Sequence, residues 1–220
     1  MKNWLRQNGL SIVVLSIFVV LLVGQAITGW QSHNEERLQQ GAVALSLTDY
    51  LLSGHFAEAT SENWESEFLQ MAAYVLFTVF LRQKGSAESK PLSGEEAVDR
   101  DPRLDRDKPN APFPVRRGGW LLRLYEWSLS LAFFVLFLVA FVWHMAGGYS
   151  LENDERALDG LPPITFGEFI SSSEFWFQSL QNWQSEFLAV GAIVVLSIWL
   201  RQRGSPESKP VSAPHTQTGE

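Results

Sequence analysis

The sequence predicts an all-α membrane protein with four transmembrane helices, arranged as two tandem, parallel two-helix repeats that each carry a short outer interfacial helix. Three observations predict it. The apolar residues are gathered into four runs. Lysine and arginine alternate with those runs along the chain. The sequence also aligns with itself, without a gap, at a shift of 119 positions.

Leu10 to Thr28 holds no charged residue, and Trp127 to Met145 has only His144 to titrate. Each run is long enough to span a bilayer. Phe68 to Leu81 and Phe187 to Leu200 are uncharged over only 14 residues. Extended back to Trp64 and Trp183 they reach about 27 Å at a rise of about 1.5 Å per residue, and they then take in Glu67 and Glu186 at matching positions, with Glu65 also in the first. Lys2 and Arg6 ahead of the first run imitate the basic start of a secretory signal. That run exceeds an h-region of about 7–15 residues and no small-x-small cleavage site follows, so an uncleaved anchor is expected.

Orientation follows from the cations, because cytoplasmic flanks are enriched in them. The N-terminus, the stretch from Arg82 to Arg123 and the tail after Arg201 hold 15 of the 17 lysines and arginines. The segments Trp30 to Trp64 and Tyr149 to Trp183 hold only Arg37 and Arg156. Four spans with both termini cytoplasmic satisfy this alternation. Trp30, Trp64, Tyr149 and Trp183 then fall at the outer boundary, and Trp4, Trp120 and Trp199 at the inner one, where amphipathic rings are favoured.

The self-alignment runs from Gly29 to Pro91 against Gly148 to Pro210, with more than a third of the pairs identical. Asn63-Trp64-Glu65-Ser66-Glu67-Phe68-Leu69 meets Asn182-Trp183-Gln184-Ser185-Glu186-Phe187-Leu188, and Asn34-Glu35-Glu36-Arg37 meets Asn153-Asp154-Glu155-Arg156. Two spans per copy give both copies the same orientation, so a pseudo-twofold axis lies along the membrane normal. Ser46-x-x-Asp49 and Thr165-x-x-Glu168 are matching capping signals before apolar residues, and they predict the interfacial helices. The resulting map is a first repeat over 1–91 (spans 10–28 and 64–81, interfacial helix 46–56) and a disordered cytoplasmic linker over 92–119. A second repeat covers 120–204 (spans 121–145 and 183–200, interfacial helix 165–177), before a disordered tail over 205–220.

Little chemistry is legible. The absence of cysteine excludes thiolate catalysis, disulfides and Cys-type metal sites. There is no phosphate-binding loop, dinucleotide fingerprint or nucleophile elbow, so no catalytic residue, cofactor or nucleic-acid partner is expected. His33 and His55 lie among glutamates, but Glu152 and Glu174 replace them in the second copy and no metal-binding spacing occurs, so no metal site is expected. His144, beside Trp143, reads as an interfacial side chain. Arg116, Arg117 and Arg123 read as topology and anionic-lipid anchors.

The candidates for interaction or ion handling are Glu67 and Glu186, each about a turn from an interfacial tryptophan, with Asn63, Trp64, Asn182 and Trp183 beside them. Glu36, Arg37, Glu155 and Arg156 form a second group, in which pairing with nearby acids is the expected role of the two arginines. The repeated N-W-x-S-E-F-L and L-R-Q-[KR]-G-S-x-E-S-K-P blocks, with Trp4-Leu5-Arg6-Gln7 and Val115-Arg116-Arg117-Gly118-Gly119-Trp120, resemble a bacterial family of small membrane proteins known only as a domain of unknown function. That resemblance implies a bacterial inner-membrane location and brings no activity. The expected function is a non-enzymatic scaffold or accessory subunit in the lipid bilayer, engaging a membrane-protein partner or a second copy of itself. The alternative is a small channel or transporter with Glu67 and Glu186 near the outer mouth.

Overall fold

A computed structural model describes residues 2–219; the side chain of Lys2, counted above among the cytoplasmic cations, lies outside the described residues. The described residues form nine α-helices and no strand: α1 Lys2–Gln7, α2 Gly9–Gln39, α3 Leu47–Leu51, α4 Gly54–Phe80, α5 Phe113–Arg117, α6 Gly119–Glu126, α7 Ser128–Leu158, α8 Phe166–Ile170 and α9 Ser173–Leu196. Two of them, α2 and α7, are long and apolar enough to cross a membrane. The other expected spans, 64–81 and 183–200, begin in α4 and α9, and the second runs past the end of its helix at Leu196. Both are long helices, but each joins a short apolar run to a polar first half, with Glu58, Glu62, Glu65 and Glu67 in α4 and Glu174 and Glu186 in α9. The third expected span is also interrupted, because α6 ends at Glu126 and α7 begins at Ser128.

The expected interfacial helices over 46–56 and 165–177 are shorter than predicted. The Ser46 hydroxyl caps α3 by accepting from the Asp49 N–H, and Thr165 and Glu168 form a reciprocal capping box on α8. Each helix then stops after five residues, because Ser53 Oγ accepts from Phe56 N–H at 3.3 Å and Ser172 Oγ from Phe175 N–H at 3.2 Å, starting α4 and α9 afresh.

The chain divides into two compact units, residues 1–61 with 142–176 and residues 62–141 with 177–220. In the first, α4 and α7 approach backbone to backbone. A Cβ on Gly147 would stand 2.6 Å from the Glu58 nitrogen, and one on Gly54 would stand 2.6 Å from the Leu151 nitrogen. Small residues permit such an approach, because no Cβ stands between the two backbones. Around the crossing, Gln25 of α2 donates to Ala59 O and Thr60 Oγ1, both at 3.3 Å, which ties α2 to α4 through a carboxamide.

The second unit contains the expected linker and tail, and neither is featureless. Short 3₁₀ turns occur at Ala97–Asp99 and Pro102–Asp105, held by local pairs such as Arg100–Asp105 at 3.0 Å and Lys108–Asp105 at 2.9 Å. Scarce apolar content denies this stretch a core but leaves it charges that pair nearby. After α4 and α9 the repeated L-R-Q block folds alike: Arg82 donates to the Val79 carbonyl in the last turn of α4 and Arg201 to the Ile198 carbonyl in the turn just past α9, and Ser89 Oγ and Ser208 Oγ each accept a glutamine N–H at 2.9 Å. Gly85 and Gly204, at φ 87° and 86°, supply the left-handed residue of each turn. The tail returns to the first of these turns. Lys209 is 1% exposed and its ammonium donates to the carbonyls of Gly85, Pro214, His215 and Gln217.

Replacing Gly147 by leucine forces α4 and α7 apart, with an expected loss of roughly 1–3 kcal/mol. At about 2–4 °C per kcal/mol for a chain of this size, thermal denaturation in mild detergent detects it. Gly24→Leu, where a Cβ meets nothing within 4 Å, leaves the melting temperature unchanged.

Candidate functional site

After α2 the chain doubles back, and four side-chain bonds hold the loop. Asn34 accepts the Leu45 N–H at 2.7 Å and donates to the Leu45 carbonyl at 3.0 Å; Trp30 Nε1 donates to the same carbonyl at 2.8 Å, and Arg37 Nε to Val43 O at 3.0 Å. After α7, at positions 119 further on, Asn153 accepts from Ile164 N–H at 2.8 Å and donates to Ile164 O at 3.4 Å, while Arg156 Nε donates to Pro162 O at 2.8 Å. The arginines were expected to pair with acids. Arg156 does reach Glu152 at 3.5 Å, but the bond common to both arginines is to a loop carbonyl. A non-helical loop leaves its carbonyls without intrahelical donors, and a planar guanidinium one turn from the helix end can supply them.

Under the first of these loops lies an aromatic and imidazole cluster. Tyr50 of α3 is 1% exposed, and its hydroxyl hydrogen-bonds His55 Nδ1 at 3.2 Å; the rings of His33 and His55 pack with centroids 4.4 Å apart, tilted by 32°. Burial first lowers the pKa of both histidines, and for His33 the His55 and Arg37 charges add to it; Glu36 opposes the shift at both rings and Asp154 opposes it at His33. Glu36 is exposed. It also belongs to an acidic surround of Glu155, whose carboxyl is raised by burial and then by Glu152, Glu36, Asp159 and Asp154. In the second copy Phe169 and Phe175 stand at the positions of Tyr50 and Phe56, packed ring to ring at 5.4 Å. His144 packs on Phe175 at 5.1 Å and is fully buried, not interfacial. Sequence reading missed this because a histidine near a span end looks the same whether its ring faces a headgroup or a neighbouring aromatic.

In the second unit Trp183 donates through Nε1 to Glu65 Oε1 at 3.1 Å, and its ring lies 6.3 Å from Phe137 and 6.4 Å from Phe141. Glu65 is fully buried, whereas Glu67 is exposed and Glu186 half-buried. The sequence favoured Glu67 because its acid recurs at Glu186; Glu65, matched by Gln184, was passed over. Glu65 follows the fully buried Ser61 by one turn on the same helix face, and no signal in the sequence marks that face as buried. Glu67 and Glu186 lie within one another's electrostatic reach. Asn63 and Asn182 accept from the hydroxyls of Ser66 and Ser185 through their backbone carbonyls, at 2.7 and 2.9 Å, and Trp64 is half-buried.

Removing the carboxamides with Asn34→Ala and Asn153→Ala releases the loops, at about 1 kcal/mol for each hydrogen bond lost. Faster amide hydrogen exchange at Leu45 and Ile164, with the helix cores unchanged, is the expected readout. The histidine pair makes stability pH-dependent. Folded pKa values below the unfolded value mean that the contribution is fully present above about pH 6.5 and is lost as pH falls from there through the folded values. The melting temperature at pH 5 therefore lies below that at pH 7.5, and His33→Gln with His55→Gln flattens the difference. An undiminished drop in the double variant sinks this account.

No curated protein and no solved structure matches the chain. A family model does match, over residues 1–220, and the chain belongs to the family it describes, the domain of unknown function DUF6766.

Proposed function

We propose that this is a bacterial inner-membrane protein of four spans, a duplicated hairpin with both termini cytoplasmic, acting as a non-enzymatic scaffold or accessory subunit. The observation that carries the duplication is the paired loop clasp: Asn34 and Asn153 bind Leu45 and Ile164, and Arg37 and Arg156 bind Val43 and Pro162, every pair separated by 119 residues. The matching caps at Ser46 and Thr165 add to it. The four-span reading rests on cation alternation, because α4 and α9 have apolar runs that need a glutamate near their outer ends to reach across.

A scaffold is favoured over a channel because polar groups of α2 and α7 are engaged within the protein: Gln25 binds α4, and His144 packs on Phe175. The exposed outer loops offer a surface for a membrane-protein partner or a second copy.

Because the chain has no cysteine, single-cysteine variants test both points in whole cells. With four spans, Gly160→Cys reacts with an impermeant maleimide and Asn110→Cys reacts only after permeabilisation. If only α2 and α7 cross, the pattern reverses. A bifunctional maleimide then yields a reproducible crosslinked neighbour or homodimer from Gly160→Cys, and the absence of any such species overturns the scaffold reading.

A further inference from the structure

The base of α7 carries a group of cations that the rest of the linker does not resemble. Between residues 90 and 108 four of the five basic side chains meet acids: Lys90 with Asp99, Arg100 with Asp105 at 3.0 Å, Arg103 with Asp101 at 3.8 Å and Lys108 with Asp105 at 2.9 Å. Arg116, Arg117 and Arg123 are exposed and have no carboxylate partner among the described residues. Arg106 joins them by donating from Nε to the Arg116 carbonyl at 3.0 Å. The acids of this stretch, Asp107 and Glu126, are outnumbered.

Exposed aromatic residues are interspersed with these cations along the chain. Phe113 is 62% exposed and Trp120 75%, while Val115 of α5 and Leu122 of α6 turn inward and are buried. Trp120, Arg123 and Leu124 follow at helical spacing along α6, so the Arg123 guanidinium shares a face with the Trp120 indole, and Trp127 stands at the break that follows the helix. Above Trp127 an apolar groove of ≈ 380 Å³ runs between α4 and α7, lined by Leu69, Ala72, Ala73, Trp127, Leu131 and Phe134 among others. Unpaired cations beside exposed aromatics, at the foot of an apolar groove, match the parts of a phospholipid: an anionic headgroup, a boundary and an acyl chain.

We propose that this elbow is a binding site for a single anionic phospholipid, with its phosphate and headgroup against Arg116, Arg117 and Arg123 and one acyl chain in the α4–α7 groove past Trp127. The proposal rests on reading α7 as a membrane span. It differs from a general topology signal in requiring a stoichiometric lipid and in using the groove as well as the charge.

The test is native mass spectrometry of the full chain in mild detergent, supplied with phosphatidylglycerol or phosphatidylcholine. One phosphatidylglycerol is retained, and phosphatidylcholine at the same concentration is not. Replacing Arg116, Arg117 and Arg123 with glutamine lowers the bound fraction roughly fivefold or more, since each cation near an anionic surface contributes about that factor. Arg100→Gln, Arg103→Gln and Lys108→Gln together remove the same charge and leave binding unchanged. Ala73→Phe fills the groove and lowers occupancy with no change of charge. Equal retention of phosphatidylcholine, undiminished binding in the Arg116/Arg117/Arg123 variant, or equal loss in the control variant overturns the site. Carbonate extraction of the wild-type chain from membranes keeps the two ideas apart: a chain that stays in the membrane yet fails the lipid test loses only the site, and a chain that is extracted loses the span.

Discussion

Gly54 and Gly147 bring the backbones of α4 and α7 to a separation at which a single methyl group would collide with a peptide nitrogen. The helix that starts at Gly54 is positioned by this approach, and with it the polar residues on its inward face, Thr60 and Ser61, which are almost fully buried. Gln25 can bond Ala59 and Thr60 only because that face is already held. The arrangement depends on close shape complementarity, and small residues are what allow it.

A second constraint concerns backbone groups outside the helices. The loops after α2 and α7, and the turns after α4 and α9, leave carbonyls and N–H groups that regular structure does not satisfy. The protein answers each with a side chain of fixed geometry: an asparagine carboxamide that accepts and donates to one residue, and an arginine on a nearby carbonyl. Lys209 is the extreme case, an ammonium buried among four carbonyls with its pKa lowered by burial and by Arg201. These bonds are local in sequence, except where the tail returns to Gly85, and so they survive as repeated motifs.

Function on this account is a matter of surfaces. Buried groups such as Glu65, Tyr50 and His144 are held by neighbours and serve packing. The features left facing outward are the acidic loops around Glu36 and Glu155 and the arginine elbow at the foot of α7.

Sequence alone determined the helical class, the two long apolar helices, the caps at Ser46 and Thr165 and the matching placement of the Asn-x-x-Arg segments, because each of these depends on residues within a few turns of one another. It misjudged the interfacial helices, since the Ser53 and Ser172 hydroxyls that restart the helices compete with an uninterrupted apolar pattern. It chose Glu67 over Glu65 because recurrence is visible in a sequence and burial is not. The packing of His33 on His55, the indole of Trp183 on Glu65 and the backbone crossing at Gly147 were decided only by tertiary structure. Each joins residues distant in the chain, and local propensity says nothing about which helix face meets which.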